Sequence, residues 1–486
     1  MRGWTGRVFQ LRIKLAFFAW VLFFGSTAHA HVGNPYVFYE GNAGPYLVRV
    51  SIQPPEAVPG RAQINVRVHN GTPESVTALP VRWDAGRKGA PPPDQAVPVK
   101  GETNLFSTEL WLMDFGAYSV FVDVKGTLGG GTAIVPLNSI SNKLLEMSKA
   151  AGVGFLVAGL ILVLLLILII GAAVRESVLP PSVESDPLRR RRGRLGMAVA
   201  AVLVTLLLYK GNAWWTEVDA EFRSNRLFRP IEIPTKVEAT ENGRVLTLRA
   251  NSRDSDWRDR TPLVADHGKL MHLFLIKKDD MSAFAHLHPT KVGESEFTAP
   301  IPTIAPGDYS VYAEVTHESG LARTLVSSVT IETGTTATGV ADSDDSWWPS
   351  ESGGIVVRHL NPGPIIARKE VMLRFDALAP DGQPAALEPY MGMWSHAAVR
   401  ASDGTVFTHV HPSGTISMTA QELFARRERG EDLKKPIDVM CGRPERELVF
   451  PYSFPKAGAY RMWVQVKANG RIVTQSFDFT VVPPEA

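Results

Sequence analysis

Two motifs of the form His-x-His-Pro occur in the chain, and each has one more histidine shortly upstream. The six histidines of these two groups are His272, His286, His288, His396, His409 and His411. Neutral imidazole is the commonest metal ligand in proteins. The repeat therefore predicts two metal sites that are built in the same way.

Strand geometry explains how such a motif could hold an ion. Residues i and i+2 of a β-strand point to the same face, so His286 and His288 project together. Proline cannot continue a central ladder, which places each pair at a strand end or on an edge. A polar turn precedes each pair, as Ser402-Asp403-Gly404 does in the second group. A hairpin would bring the upstream histidine opposite either member of the pair, and both registers remain open.

Methionines near the second group bear on the choice of metal. Met391 and Met393 lie in a glycine-containing segment just before His396. A thioether beside imidazole suits Cu(I), whereas imidazole alone suits Cu(II) or Zn(II). We therefore expect copper, as Cu(I) or Cu(II), with zinc as the alternative, in open and shallow sites suited to transfer. The competing interpretation is that these methionines fill a core.

Three other residues near the motifs need an interpretation. Met271 adjoins a candidate ligand, but strand alternation points it to the opposite face and into the core. His267 and His317 are weaker ligand candidates, because they lie outside the repeated motif. The alternative for all the histidines is a structural role, bonded to backbone carbonyls at one end of a sandwich.

The N-terminal segment predicts export. Residues 1–30 combine basic residues, a short apolar run and Ala28-His29-Ala30, which is typical of a cleaved signal peptide. Cleavage there would make His31 the mature N-terminus. Its amine and imidazole could chelate Cu(II) together, so His31 is a further candidate ligand.

Two apolar segments predict a membrane hairpin. Residues 152–174 carry no charge and are long enough to cross a bilayer. Residues 195–213 form a second, weaker span. The loop between them, residues 175–194, contains the arginine cluster at 189–194, which favours a cytoplasmic position. We therefore expect a protein of the bacterial inner membrane, with periplasmic domains both before and after the hairpin along the chain.

The remaining segments show short alternating strands bounded by Gly, Pro and Asp, which is typical of β-sandwiches. A repeated strand that begins Gly-x-Tyr, at Gly116, Gly307 and Gly458, indicates one sandwich in each of three domains. We place these domains at residues 31–145, 230–335 and 354–484, with a polar linker at 336–353. The expected class is mainly β, with three β-sandwich domains and two transmembrane helices.

Several functional classes find no support in the sequence. No nucleophile elbow, Walker loop, zinc-protease motif or dinucleotide fingerprint is present, so we expect a protein that is not an enzyme. The net charge is +2, and membrane topology accounts for the arginine cluster, so no nucleic-acid partner is expected. The single cysteine, Cys441, excludes an internal disulfide and zinc sites built on several thiolates.

The segments around both motifs resemble the YtkA-like and FixH-like periplasmic domains of copper-handling membrane proteins. The resemblance is carried by KLMHLFLIKKDDMSAFAHLHP, by PGDYSVYAEVTHESGLARTL and by LEPYMGMWSHAAVRASDGTVFTHVHP. It implies an immunoglobulin-like fold for each sandwich and a role in copper binding. The ligands that it implies are His272, His286, His288, Met391, Met393, His396, His409 and His411.

Two functional hypotheses follow from the sequence. The first is a membrane-anchored periplasmic copper-binding protein for copper delivery or tolerance, with a copper-donating or copper-accepting protein as its partner. The second is a membrane-tethered assembly or scaffold protein, in which immunoglobulin-like domains dock a partner and the histidines are structural.

Overall fold

The structure, a computed structural model, describes residues 31–32, 36–180, 183–241, 243–249, 261–333, 342–435, 437 and 447–484. The predicted signal peptide at residues 1–30 and the single cysteine, Cys441, lie outside the described residues. The first strand, β1 (His31–Val32), pairs with a strand of the third domain rather than with the first. The prediction that the first domain begins at His31 was wrong for these two residues.

Sandwich one contains two antiparallel sheets, ordered β2-β3-β4-β8-β7 and β10-β9-β5-β6. Its strands are β2 (Val37–Ala43), β3 (Tyr46–Gln53), β4 (Gly60–Val68), β5 (Pro73–Arg82), β6 (Asp94–Gln95), β7 (Val97–Pro98), β8 (Leu105–Leu112), β9 (Gly116–Gly126) and β10 (Gly129–Ser139), with a short 3-10 helix at Arg87–Gly89. On β3 the buried residues alternate with more exposed ones, so one face forms the core.

Two long helices follow sandwich one, α1 (Lys149–Glu176) and α2 (Pro187–Asn225). Both are long and apolar enough to cross a membrane. Helix α2 begins earlier than predicted because Asp186 caps it through the backbone N–H of Arg189 and Pro187 occupies its first turn. The predicted loop at 175–194 is therefore shorter, and the arginine cluster lies within α2.

The helices form a close antiparallel pair. A methyl group on Gly171 would lie 2.3 Å from Cγ of Met197, so a residue without a side chain is needed there. The segment before α1 and the segment after α2 lie side by side, because the backbone N–H of Phe228 donates to the carbonyl of Ser141 at 2.7 Å. Sandwiches one and two therefore lie at the same end of the helix pair.

Sandwich two has a large sheet, β11-β20-β19-β15-β16-β21 with β14 beside β19, and a small sheet, β12-β13-β18-β17. Its strands are β11 (Ile231–Glu232), β12 (Thr235–Thr240), β13 (Gly243–Arg249), β14 (Leu263–Val264), β15 (His272–Lys277), β16 (Phe284–Leu287), β17 (Thr290–Lys291), β18 (Glu296–Pro300), β19 (Gly307–His317), β20 (Ala322–Ile331) and β21 (Ser346–Trp348). Strand β21 lies in the segment predicted to be a linker, and that prediction was wrong for these residues.

Sandwich three repeats this plan, with a large sheet β1-β27-β26-β29-β30-β23, β25 beside β29, and a small sheet β22-β24-β28. Its elements after β1 are β22 (Val356–His359), β23 (Ile365–Ile366), β24 (Glu370–Leu378), β25 (Leu387–Glu388), β26 (His396–Ala401), β27 (Val406–Val410), α3 (Met418–Arg429), β28 (Leu448–Ser453), β29 (Gly458–Ala468) and β30 (Arg471–Val482). Helix α3 was not anticipated from the sequence.

The repeated Gly-x-Tyr strand is β9 in sandwich one, β19 in sandwich two and β29 in sandwich three. Each forms a hairpin with the strand that follows it. The tyrosine of each copy bonds to the backbone four residues upstream. Tyr309 donates to the carbonyl of Ala305 at 2.5 Å, and Tyr460 donates to that of Lys456 at 2.9 Å. Such a tyrosine corner is a hallmark of immunoglobulin-like sandwiches. The predicted fold class, mainly β with three sandwiches and two apolar helices, is confirmed.

The large sheets of sandwiches two and three pack against each other. In β15 and β26 no residue is exposed, because one face of each strand forms the core of its own sandwich and the other meets the opposite sandwich. Phe284 stacks on Trp463 with ring centroids 4.8 Å apart, and Tyr312 stacks on Phe407 at 4.0 Å. These aromatic pairs hold together the two faces that carry the histidines.

Candidate metal centre

Both histidine motifs lie at strand ends on the packed faces of the large sheets. In sandwich two, Phe274 pairs with His286, which brings His272 opposite His288. In sandwich three, Ala398 pairs with His409, which brings His396 opposite His411. Of the two registers left open by the sequence, the structure has the one that places the upstream histidine opposite the second histidine of the pair.

Each motif forms a group of three imidazoles. Triad one is His272, His286 and His288, and triad two is His396, His409 and His411. In each triad the candidate ligand nitrogens all lie within 4.8 Å of one another, so either triad could hold a metal ion. The ring centroids within a triad are 4.5 to 5.4 Å apart.

Hydrogen bonds around triad one fix which nitrogens face inward. His272 donates from Nε2 to the carbonyl of Asp266 at 3.1 Å, which leaves its Nδ1 with a lone pair. Gln465 donates its amide N–H to Ser346 and turns its oxygen to Nδ1 of His286 at 3.0 Å. Nε2 of His286 then also carries a lone pair, and it lies 3.2 Å from Nδ1 of His272. Two lone pairs that face each other repel unless a cation lies between them.

The third ring of triad one is oriented in the same way. Nδ1 of His288 lies 3.0 Å from a carboxylate oxygen of Asp345, which also accepts the backbone N–H of the same histidine. Its Nε2 is buried and has no hydrogen-bond partner in the part of the chain that the structure describes. A carboxylate behind a metal-binding imidazole fixes its tautomer and raises its basicity. Three unprotonated nitrogens therefore converge in triad one.

Triad two repeats the contacts of the first two rings, but neither ring nitrogen of His411 has a hydrogen-bond partner among the described residues. His396 donates from Nε2 to the carbonyl of Tyr390 at 3.0 Å, and its Nδ1 lies 3.2 Å from Nε2 of His409. Nδ1 of His409 faces the carboxyl of Glu314 at 3.1 Å. Burial raises the pKa of Glu314 to about 8. When this carboxyl is ionised it accepts from Nδ1 of His409, and Nε2 becomes free to bind an ion.

The triads are deeply buried, which contradicts the expectation of open and shallow sites. Their six side chains belong to residues that are between 0% and 8% exposed. Burial lowers the pKa of His272 to about 3 and holds the pKa of His286 and His396 well below the usual range, with neighbouring imidazoles adding to the effect. These three rings are therefore neutral at neutral pH, the form that binds metal.

The two triads are adjacent to each other across the contact between sandwiches two and three. The ring of His409 lies 5.4 Å from that of His272 and 5.5 Å from that of His286, centroid to centroid. Each sandwich also supports the triad of the other: Glu314 of sandwich two contacts His409, and Gln465 of sandwich three contacts His286. Both supporting residues pair in register with the first histidine of their own triad.

A seventh histidine, His267, lies among the triads. It belongs to sandwich two, but its ring centroid is 4.9 Å from that of His411 and 5.4 Å from that of His396. Its side chain is 1% exposed, and neither ring nitrogen has a hydrogen-bond partner among the described residues, although Nε2 lies 3.8 Å from a carboxylate oxygen of Asp266. Sequence reasoning ranked His267 as a weaker candidate because it lies outside the motif, although Asp266-His267-Gly268 has the composition of a tight turn.

The other sequence candidates have different surroundings. Met271 is fully buried in the core of sandwich two, as alternation predicted. Met391 and Met393 are buried around a tight turn between Tyr390 and Met393, and their role as ligands stays a prediction. His31 pairs through its backbone with Val406, which precedes the second motif on β27. His317 is buried and contacts the carbonyl of Thr261 at 2.9 Å.

A cavity of about 250 Å³ adjoins the histidines. His267, His272, His409, His411 and Glu314 contribute to its wall. Residues of sandwich one and the segment after α2, including Leu137 and Phe228, also line it. The cavity therefore gives the buried imidazoles an adjoining space beside the segments that flank the helix pair.

Comparison with known families is consistent with the division into sandwiches. Residues 232–333 and 351–483 match the model of a family described as a domain of unknown function, DUF8832. These stretches correspond to sandwiches two and three. None of the curated proteins matches the chain.

Solved structures that are similar to this chain share little identity with it. They include the tetra-tandem repeat in the extending region of a large adhesion protein (10% identity, 87% of this chain, 71% of that chain, TM-score 0.15). A second example is dimeric latent PorU from Porphyromonas gingivalis (12% identity, 93% of this chain, 34% of that chain, TM-score 0.14). A third is Escherichia coli alpha-2-macroglobulin activated by porcine elastase (8% identity, 90% of this chain, 33% of that chain, TM-score 0.15). TM-scores this low carry no argument about fold or function.

Proposed function

We propose that the chain is a membrane-anchored periplasmic copper-binding protein that serves copper delivery or tolerance. The observation that carries this proposal is the convergence of unprotonated imidazole nitrogens in triad one. Nδ1 of His272 and Nε2 of His286 face each other at 3.2 Å, with the second nitrogen of each ring already engaged elsewhere. A bound cation removes the repulsion between these lone pairs.

The donor set favours copper over harder metals. Six buried imidazoles, without a carboxylate among the members of either triad, form a nitrogen site that suits copper or zinc rather than magnesium or calcium. Divalent copper binds such ligands more tightly than divalent zinc does. Burial is compatible with tight holding of the ion, and delivery would then require a partner that opens the contact between sandwiches two and three.

The position of the helix pair supports a periplasmic location for the sandwiches. Ser141 and Leu227 bridge at one end of the pair, so the chain enters and leaves the helices beside the sandwiches. The arginine cluster lies near the opposite end, at the start of α2. Because arginine-rich ends favour the cytoplasm, all three sandwiches would be periplasmic. No catalytic role belongs to this proposal.

Calorimetric titration of the full chain in detergent, with Cu(I) under reductant and with Cu(II), tests the proposal. We expect saturable binding that is abolished at triad one by His286→Ala combined with His288→Ala. His69→Ala, which removes an exposed histidine, is the matched control and should leave binding unchanged. Unchanged copper binding in the double variant would remove triad one from the proposal.

A scaffold role remains the alternative because the three sandwiches make extensive contacts with one another. Asn138 of sandwich one donates to the carbonyl of Ala322 in sandwich two, and Gln421 of α3 donates to the carbonyl of Ile134. A scaffold predicts partner capture that survives both a copper chelator and the histidine substitutions. Copper-dependent capture would favour the proposed function.

A further inference from the structure

We propose that the two triads hold their ions in one chamber as a dinuclear centre, in which His267 supplies a fourth imidazole to the ion at triad two. The chamber is defined here as the space between the rings of triad one, triad two and His267. This inference rests on the proposed function and goes beyond it, because copper binding by itself requires neither a pair of ions nor a shared site.

The first support is the closeness of rings from different triads. His409 lies as near to His272 and His286 as the members of one triad lie to each other, at centroid distances of 5.4 and 5.5 Å. His286 and His396 are 6.4 Å apart. Ions held by these two sets of rings would have no layer of protein between them.

The second support is that each triad is oriented by the opposite sandwich. Gln465 sets the tautomer of His286, and Glu314 sets that of His409. Residues behind the ligands of a metal site tune its affinity and geometry. Because this tuning crosses the contact in both directions, a shift of one sandwich changes both ion sites together.

The third support concerns His267. Burying an imidazole without hydrogen bonds costs free energy. Both ring nitrogens of His267 are buried without a hydrogen-bond partner among the described residues, and the nearest carboxylate oxygen, of Asp266, lies 3.8 Å from Nε2. The ring lies edge-on to His396 and His411, at interplanar angles of 89° and 61°. A metal ion at triad two would give one of these nitrogens a partner, and it would bind residues of both sandwiches.

Electron paramagnetic resonance of the full chain in detergent tests whether the ions form a pair. The protein is loaded with two equivalents of Cu(II), and bound copper is measured independently. We expect two ions per chain together with either a spin signal that accounts for much less than the bound copper or a half-field transition. A full-intensity sum of two isolated signals, or saturation at one ion, would overturn the inference while leaving copper binding intact. Failure to bind copper would instead overturn the proposed function.

Testing whether His267 is a ligand requires a variant that binds a single ion. In the chain carrying His286→Ala and His288→Ala, copper at triad two should couple to four imidazoles, counted by pulsed measurements of nitrogen coupling. Addition of His267→Gln should reduce this count to three and weaken Cu(II) binding by about 10-fold or more. His317→Gln, a buried histidine outside the chamber, is the control. An unchanged imidazole count after His267→Gln would show that this residue is not a ligand.

Discussion

His267 and Met391 occupy the same position in two equivalent turns. Both residues have positive φ, at 52° and 50°, and both precede a glycine, Gly268 or Gly392, with φ of 78° or 76°. The residue before each, Asp266 or Tyr390, bonds through its carbonyl to the first histidine of the triad that follows. The repeated architecture therefore places an imidazole in one turn where the other has a thioether.

This relationship predicts how the centre distinguishes the oxidation states of copper. Thioether ligands favour Cu(I), whereas imidazole accepts Cu(II). We expect His267→Met to raise the ratio of Cu(I) to Cu(II) affinity by about 10-fold or more, and Met391→His to lower it. Competition with chelators specific for each oxidation state measures the ratio. Identical ratios in both variants and the unaltered protein would contradict a ligand role for this turn position.

Gln465 provides a test of support from the opposite sandwich. Gln465→Ala removes the acceptor of Nδ1 of His286, so we expect metal affinity at triad one to fall by about 10- to 100-fold. Calorimetric titration with Cu(II) checks the value. Gln383→Ala, an exposed glutamine of the same sandwich, is the control. Equal affinities for the two variants would show that the amide does not orient the histidine.

Trp463 tests the contact that holds the chamber closed. It is fully buried and stacks on Phe284, so Trp463→Ala should lower the free energy of unfolding by about 3–5 kcal/mol. We also expect copper affinity to fall at both triads, because the two sandwiches separate more easily. Trp111→Ala removes a tryptophan that is 57% exposed and should change neither property. Thermal unfolding with and without copper measures both effects.

The metal-free protein should lose stability in mild acid. In the folded state the pKa of His272 is lowered to about 3, whereas an unfolded histidine has a pKa near 6.5. The unfolded state therefore binds more protons between these values, and the free energy of unfolding falls as pH decreases through this window, by up to about 1.4 kcal/mol per pH unit for each such histidine. Stability above pH 6.5 should be nearly independent of this group.

Denaturant unfolding of the metal-free chain at several pH values checks this dependence. His272→Gln should make the slope between pH 6.5 and pH 4 shallower, since one depressed imidazole is removed. The exposed His69 provides the control variant, His69→Gln. A slope that is the same for all three proteins would contradict the assigned protonation of the chamber.

The membrane orientation can be tested with single cysteines. In a Cys441→Ser background, Glu184→Cys places a thiol between the two helices and Ser402→Cys places one on sandwich three. We expect an impermeant thiol reagent to label position 402 once the outer membrane is permeable, and position 184 only after the inner membrane is disrupted. Labelling of both positions at the same stage would contradict the helical hairpin as a membrane anchor.

The repeated motifs alone predicted a large part of the site. The spacing of His286 and His288 on a strand, and of His409 and His411 on another, required that each pair project from one face, and the polar turns required hairpins. Strand alternation also placed Met271 in a core. These features depend on neighbours along the chain, which is why local periodicity was sufficient.

Only the tertiary structure decided that the two triads are neighbours. The sequence predicted one open, shallow site in each of the second and third domains, because nothing local indicates that β15 and β26 face each other. Phe274 and Phe284 share the face of the histidines, and this apolar character was a signal that the face is buried. His267, Glu314 and Gln465 enter the site from distant positions through packing between sandwiches. The sequence by itself thus determined which side chains share a strand face, whereas docking of two sheets decided what that face meets, because such docking depends on surfaces far apart in the chain.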